Sequence, residues 1–129
     1  MPTFRVLMGS NSNATTALTE AREKLERAFP EDILFSENLE SVAVNKDGNT
    51  TSVSANYLNA LCLAKTELAL GDVQSLLKKM EEEMGRVRGL ASGLVSIDLD
   101  LVEWNGEIVR PNEAAQSYYQ ECLKSLNKF

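Results

Sequence analysis

Residues 95–102 read Val-Ser-Ile-Asp-Leu-Asp-Leu-Val, and this alternation limits the chain's folding options more than any other stretch. Successive side chains of a β-strand point to opposite faces, so Val95, Ile97, Leu99 and Leu101 share one apolar face. Asp98 and Asp100 then leave together from the other, with Cα atoms roughly 6.5–7 Å apart. A strand of this kind needs helices against its apolar side and something polar or wet against the other.

The remaining elements supply that architecture. Residues 3–9 alternate Phe4, Val6 and Met8 with Arg5 and Leu7, a second strand. The turn residues Gly9-Ser10-Asn11-Ser12-Asn13 follow it. From Ala14 a helical period places Leu18, Ala21, Leu25 and Phe29 on one stripe, and Pro30 ends it. Residues 32–44 predict one or two strands, then a polar loop at 45–49. Tyr57 to Ala64 predicts a central strand. Asp72 is the expected N-cap of a helix carrying Val73, Leu76, Leu77, Met80 and Met84, with Gly85 closing it as the C′ residue. The Asn105-Gly106 pair predicts a tight hairpin returning through residues 107–109, and Asn112 is the expected cap of a last helix over 112–128. The order strand, helix, strands, helix, strand, helix gives one α+β domain over residues 1–129: a mostly antiparallel sheet with helices packed on it.

Composition narrows the chemistry. There is no histidine, which excludes Ser-His-Asp and Cys-His nucleophilic schemes and every zinc site that needs imidazole. The net charge of -6 argues against a nucleic-acid partner, though a nucleotide site needs only a local cluster of cations. No apolar run approaches the roughly 20 residues that span a bilayer, and the N-terminus lacks the order of a signal peptide, so neither a membrane nor export is expected. The expectation is a cytoplasmic protein. Cys62 and Cys122 are then expected as buried, reduced thiols.

Two carboxylates that close repel unless a cation intervenes, and Mg²⁺ commonly takes one or two carboxylates together with substrate phosphates. The alternative is a wet strand face with both aspartates solvated, against which stands the poor fit of Asp in strands. Upstream, Arg86 and Arg88 lie between the helix end and the segment 89–93. Guanidinium groups bind phosphate bidentately, and arginine also complements a helix C-terminus. Both readings are open for this pair.

Taken in order, Gly9-Ser10-Asn11, Tyr57-Leu58-Asn59-Ala60, Gly85-Arg86-Val87-Arg88 and Ile97-Asp98-Leu99-Asp100-Leu101 resemble the motifs of the hydroxymethyl-dihydropterin pyrophosphokinases over roughly residues 4–109. The resemblance implies a ferredoxin-like sandwich that moves pyrophosphate from ATP to the hydroxymethyl group of 6-hydroxymethyl-dihydropterin, a step of folate biosynthesis. It implies that Asp98 and Asp100 hold two Mg²⁺ ions, and that Arg86 and Arg88 contact the nucleotide phosphates. Asn59 would hydrogen-bond the pterin ring, with Tyr57 and Ser41 on the same substrate side.

The chain also departs from the pattern. Gly93-Leu94-Val95 stands where the family has Gly-Pro-Arg, Ala91 or Ser92 replaces a loop cation, and Leu39-Glu40-Ser41-Val42-Ala43 replaces Tyr-x-Thr-x-Pro. A downstream histidine is missing, and Lys46 and Arg110 are cations able to compensate. The expectations are therefore an enzyme with weakened or altered turnover or, competing with it, a non-catalytic relative that binds nucleotide or pterin or serves as an interaction protein. A third reading is an unrelated binding module whose motif order is coincidental. The last helix either covers core or pairs with a second subunit as a homodimer.

Overall fold

The computed structural model describes residues 1–30, 33–41, 57–85 and 97–126. The alternation at the N-terminus becomes strand β1 (Thr3–Ser10), and the Leu18, Ala21 and Leu25 stripe becomes helix α1 (Ala14–Ala28) with all three residues buried. The edge segment folds as β2 (Leu34–Phe35) and β3 (Leu39–Ser41). Both pair with β4 (Tyr57–Lys65), but the register shifts by one residue between Phe35 and Leu39. The Ser36 hydroxyl fills that interruption, accepting the Leu61 N–H at 2.7 Å. Helix α2 (Leu70–Glu83) precedes β5 (Asp98–Trp104), which turns through Asn105 and Gly106 into β6 (Glu107–Ile108). Both turn residues have positive φ, 48° and 89°, as a two-residue hairpin of the Asn-Gly type requires.

The strands form one antiparallel sheet in the order β2-β4-β1-β5-β6, with β3 also on β4. Helices α1 and α2 bury one face against Phe4, Val6, Met8, Ala60, Cys62, Ile97, Leu99 and Leu101. Helix α4 (Ser117–Leu126) covers part of the other face, where Tyr119, Cys122 and Leu126 pack on Leu7, Leu61 and Val102. This is the expected α+β, ferredoxin-like sandwich, with α4 as a third layer. Both cysteines are free and buried, one in each apolar cluster. Burial pushes the Cys62 thiol up to about 12 and Cys122 up to about 11, so both stay protonated. No helix among the described residues is long and apolar enough to cross a membrane.

Three local expectations change. Helix α2 starts three residues earlier than a cap at Asp72 allows: Ala69 is the N-cap, and Asp72 lies in the first turn, where its charge faces the positive end of the helix. Apolar periodicity marked the buried stripe but not the exposed first turn. Gly85, by contrast, does close the helix with a φ of 82°. The single helix over 112–128 is two: α3 (Pro111–Ala114), capped at Arg110 with Pro111 in its first turn, and then α4. Asn112 lies inside α3 and caps nothing.

Strand β5 also breaks its own alternation. Val6 faces Leu101 and Arg5 faces Glu103, which leaves Val102 as an extra residue, a β-bulge. Beyond it Trp104 returns to the α1/α2 side, its ring 6.0 Å from that of Phe4. Glu103 falls beside Arg5, with which it forms an ion pair. Among the described residues, the outer edge of β5 is paired only at Glu103 and Trp104, by β6. Upstream, Glu81 of α2 takes the place of a neighbouring strand. Its carboxylate accepts the Leu99 N–H at 2.7 Å, and the residue is 3% exposed.

Replacing Glu81 with Leu is expected to leave that buried N–H without a partner and to cost about 1–3 kcal/mol. Glu81→Gln, which keeps an acceptor oxygen, should cost less. Urea unfolding of both variants, with amide exchange at Leu99, checks the difference. Equal losses would show that packing rather than the hydrogen bond matters.

Candidate functional site

Register determines which side chains share the sheet face that carries α4. Leu39, Asn59, Gly9 and Asp98 are paired neighbours and so form one row across β3, β4, β1 and β5. The next row is Leu61, Leu7 and Asp100. On the other side of the first row, Tyr57 pairs with Ser41. The aspartates therefore leave one face as their spacing requires, and Asn59 stands in the same row as Asp98 with only a glycine between. Asn59 is 4% exposed.

Gly9 is small for a steric reason. A Cβ there would lie 3.3 Å from Asn59 Oδ1 and 3.8 Å from the Tyr57 ring. The amide and the phenol ring thus lean over the bare backbone of β1. Gly9→Ala is expected to displace the Asn59 amide and to cost about 1–3 kcal/mol through overpacking. Thermal unfolding would measure the loss, and an unchanged midpoint would mean that the amide yields freely.

Electrostatics concentrate at Asp100. Its carboxyl is pushed up from 3.8 to about 6, first by burial and then by the charge of Asp98, with Arg110 opposing. Arg110 Nη1 lies 3.6 Å from Asp100 Oδ1 and 3.5 Å from Glu113 Oε1. A cavity of about 430 Å³ opens beside the carboxylate, lined by Gln74, Lys78 and Glu81 of α2, by Leu99–Leu101 and by Arg110. Tyr118, at the start of α4, completes the surroundings. Burial, then Glu113, Asp100, Tyr57 and Asp98, hold its phenol above the ordinary range.

Asp98, Asp100, Asn59 and Tyr57 come together on one face, and the backbone of Ser41 lies at its β3 border. Arg86 and Arg88 fall outside the described residues, as do Lys46, Ala91, Ser92 and Val95. Periodicity gave no site role to Glu81 or Tyr118. A signal for Glu81 was available: it is a carboxylate four residues after Leu77, on the buried stripe of α2. Tyr118 had none, because its contacts depend on where α4 crosses the sheet.

A profile described as 7,8-dihydro-6-hydroxymethylpterin-pyrophosphokinase matches residues 5–128. The chain is similar to a 2-amino-4-hydroxy-6-hydroxymethyldihydropteridine pyrophosphokinase of Aquifex aeolicus (strain VF5), with 30% identity over 111 residues, covering 85% of this chain and 66% of the relative. It is also similar to the folic acid synthesis protein FOL1 of Dictyostelium discoideum, with 31% identity over 58 residues, 45% of this chain and 9% of that protein. The aligned part thus spans just under two thirds of the first relative and less than a tenth of the second.

Proposed function

The chain belongs to the 7,8-dihydro-6-hydroxymethylpterin-pyrophosphokinase family, and from that premise we propose that it transfers pyrophosphate from ATP to the hydroxymethyl group of 6-hydroxymethyl-dihydropterin, in the cytoplasm, with all 129 residues serving one domain. Membership removes the reading of a coincidental motif order. The observation that carries the proposal is the pairing of Asp98 and Asp100 on one sheet face beside a cavity of about 430 Å³.

The donor set suits magnesium. Two hard carboxylate oxygens lie on one face, the repulsion between them contributes to the raised Asp100 carboxyl, and a divalent cation would relieve it. Among the described residues no third His, Cys, Asp or Glu joins them in a cluster able to hold a metal ion. Phosphate oxygens and water would therefore complete the coordination, as is usual for Mg²⁺ bound with a nucleotide. When bound, the metal ions neutralise charge on the transferring group and align the attacking and leaving oxygens.

The chain's own residues do the positioning. Asn59 and Asp98 stand two strand spacings apart, about 10 Å between backbones, and the amide leans over Gly9 between them. Asn59 would hydrogen-bond the pterin ring edge over Gly9, with Tyr57 and Ser41 at the β3 side. The cavity between α2 and β5 would hold the nucleotide, with Arg86 and Arg88 on its phosphates. The hydroxymethyl oxygen bonds to the β-phosphorus, the bond from that phosphorus to the α–β bridging oxygen breaks, AMP leaves, and the hydroxyl proton passes to water. Such transfer depends mainly on positioning and electrostatics, so a chain without histidine can support it.

Substitution of the family's Gly-Pro-Arg arginine by Val95 supports slower turnover than in typical members. It also favours the second reading, a relative that binds nucleotide or pterin without reacting them. AMP release from ATP and Mg²⁺ tests both. Release that requires the pterin alcohol supports transfer. Binding of Mg-ATP without release supports the second reading, and neither binding nor release overturns both.

A further inference from the structure

This inference rests on the pyrophosphokinase reading and concerns Arg110, which backbone geometry places beside the carboxylates. The carbonyl of the bulge residue Val102 accepts the Val109 N–H at 2.8 Å and the Arg110 N–H at 3.4 Å. The chain after β6 is thereby drawn back along β5, and the guanidinium arrives over Asp100, 3.6 Å from Oδ1. A second contact, 3.5 Å to Glu113, comes from the same nitrogen. The Arg110 side chain is 47% exposed. Both contacts are longer than charge-assisted hydrogen bonds, and at that exposure they add little to stability.

The same side chain lines the cavity with Lys78 and Asp100. A cation binding Asp100 meets repulsion from this guanidinium, because like charges beside one carboxylate disfavour each other. A long, half-exposed side chain held by two weak contacts can move, and Glu113 keeps it nearby. We propose that Arg110 is a displaceable counter-ion: it partly offsets the charge of Asp100 while the site is empty, and transfers to the nucleotide phosphates when the metal-bound nucleotide takes the carboxylate. It is then a positioning residue in the free protein and a phosphate-binding residue in the complex. The exchange offsets part of the cavity's excess charge in each state.

The two roles predict effects of opposite sign for one substitution, which a purely structural residue would not show. In the full-length chain, Arg110→Gln should bind Mn²⁺ alone about fivefold more tightly, because its competitor for Asp100 is gone. The same variant should bind magnesium with α,β-methylene-ATP, which cannot transfer its terminal pyrophosphate, about tenfold more weakly. Arg110→Lys should recover part of the nucleotide affinity. Mn²⁺ binding is read by paramagnetic resonance and nucleotide binding by calorimetry, with thermal unfolding as the check on folding.

Parallel losses of both affinities, or no change in either, would overturn the exchange. Wild-type protein that binds the analogue while Arg110→Gln binds it equally well would overturn this inference alone. Wild-type protein that binds neither metal nor analogue would overturn the pyrophosphokinase reading as well.

Discussion

Asp98→Ala is expected to fold as the parent does and to lose pterin-dependent AMP formation by about 10³-fold or more. The side chain is only partly buried and points away from the α1/α2 core, so its removal opens no apolar cavity. On the proposed reading it removes one of two oxygen donors for the metal, together with the charge that the transferring group would need opposite it. Calorimetry with Mg-ATP should show binding lost in step with turnover, while the unfolding midpoint stays within a few degrees. Turnover within tenfold of the parent would show that the metal, and the reaction, lie elsewhere.

Asp100→Asn should lose Mg-ATP binding yet make the metal-free protein more stable near neutral pH. The folded carboxyl titrates at about 6, against 3.8 for an ordinary aspartate, chiefly because it is buried and next because Asp98 is close. Between those values the folded chain holds a proton that the unfolded chain has released. By linkage, the stability of the metal-free protein is greatest below pH 4 as far as this group is concerned. It falls as pH rises to about 6, by at most about 3 kcal/mol. Asparagine has nothing to titrate, so the variant should exceed the parent at pH 7.5 and lose that advantage at pH 4. Urea unfolding in EDTA at both values checks the sign. A variant less stable than the parent at pH 7.5 would mean that the charged carboxylate is well compensated in the fold. The expected pattern marks Asp100 as a group retained for binding at the expense of stability.

How much of this was legible beforehand depended on how local the information was. The period-two run at 3–9, the described part of the run at 95–102 and the stripe from Leu18 to Leu25 record burial directly, and β1, β5 and α1 formed there. The Asp98 and Asp100 pair followed from the same alternation and needed no tertiary knowledge. Helix starts were less visible. Asp72 and Asn112 are good capping residues, but each lies one turn or less inside a helix that Ala69 and Arg110 begin. Capping chemistry is shared by the first turn, so residue type alone does not fix the boundary. Sites that depend on a crossing element were not readable at all. Tyr118 feels the charge of the carboxylates only because α4 lies over Leu7 and Leu61, and Arg110 lies beside Asp100 only because Val102 carries a backbone acceptor.

The surplus residue at Val102 has a further consequence. In an uninterrupted strand, side chains with the facing of Asp98 and Asp100 would recur at positions 102 and 104, so the indole would point towards α4 and Glu103 into the greasy interior beneath α1 and α2. One inserted amino acid reverses the phase midway. The acidic half of the ribbon can then serve ligands while its aromatic half seals the opposite layer. Two incompatible demands on seven consecutive residues are thus met by miscounting once, at the spot where the carbonyl also steers a guanidinium home.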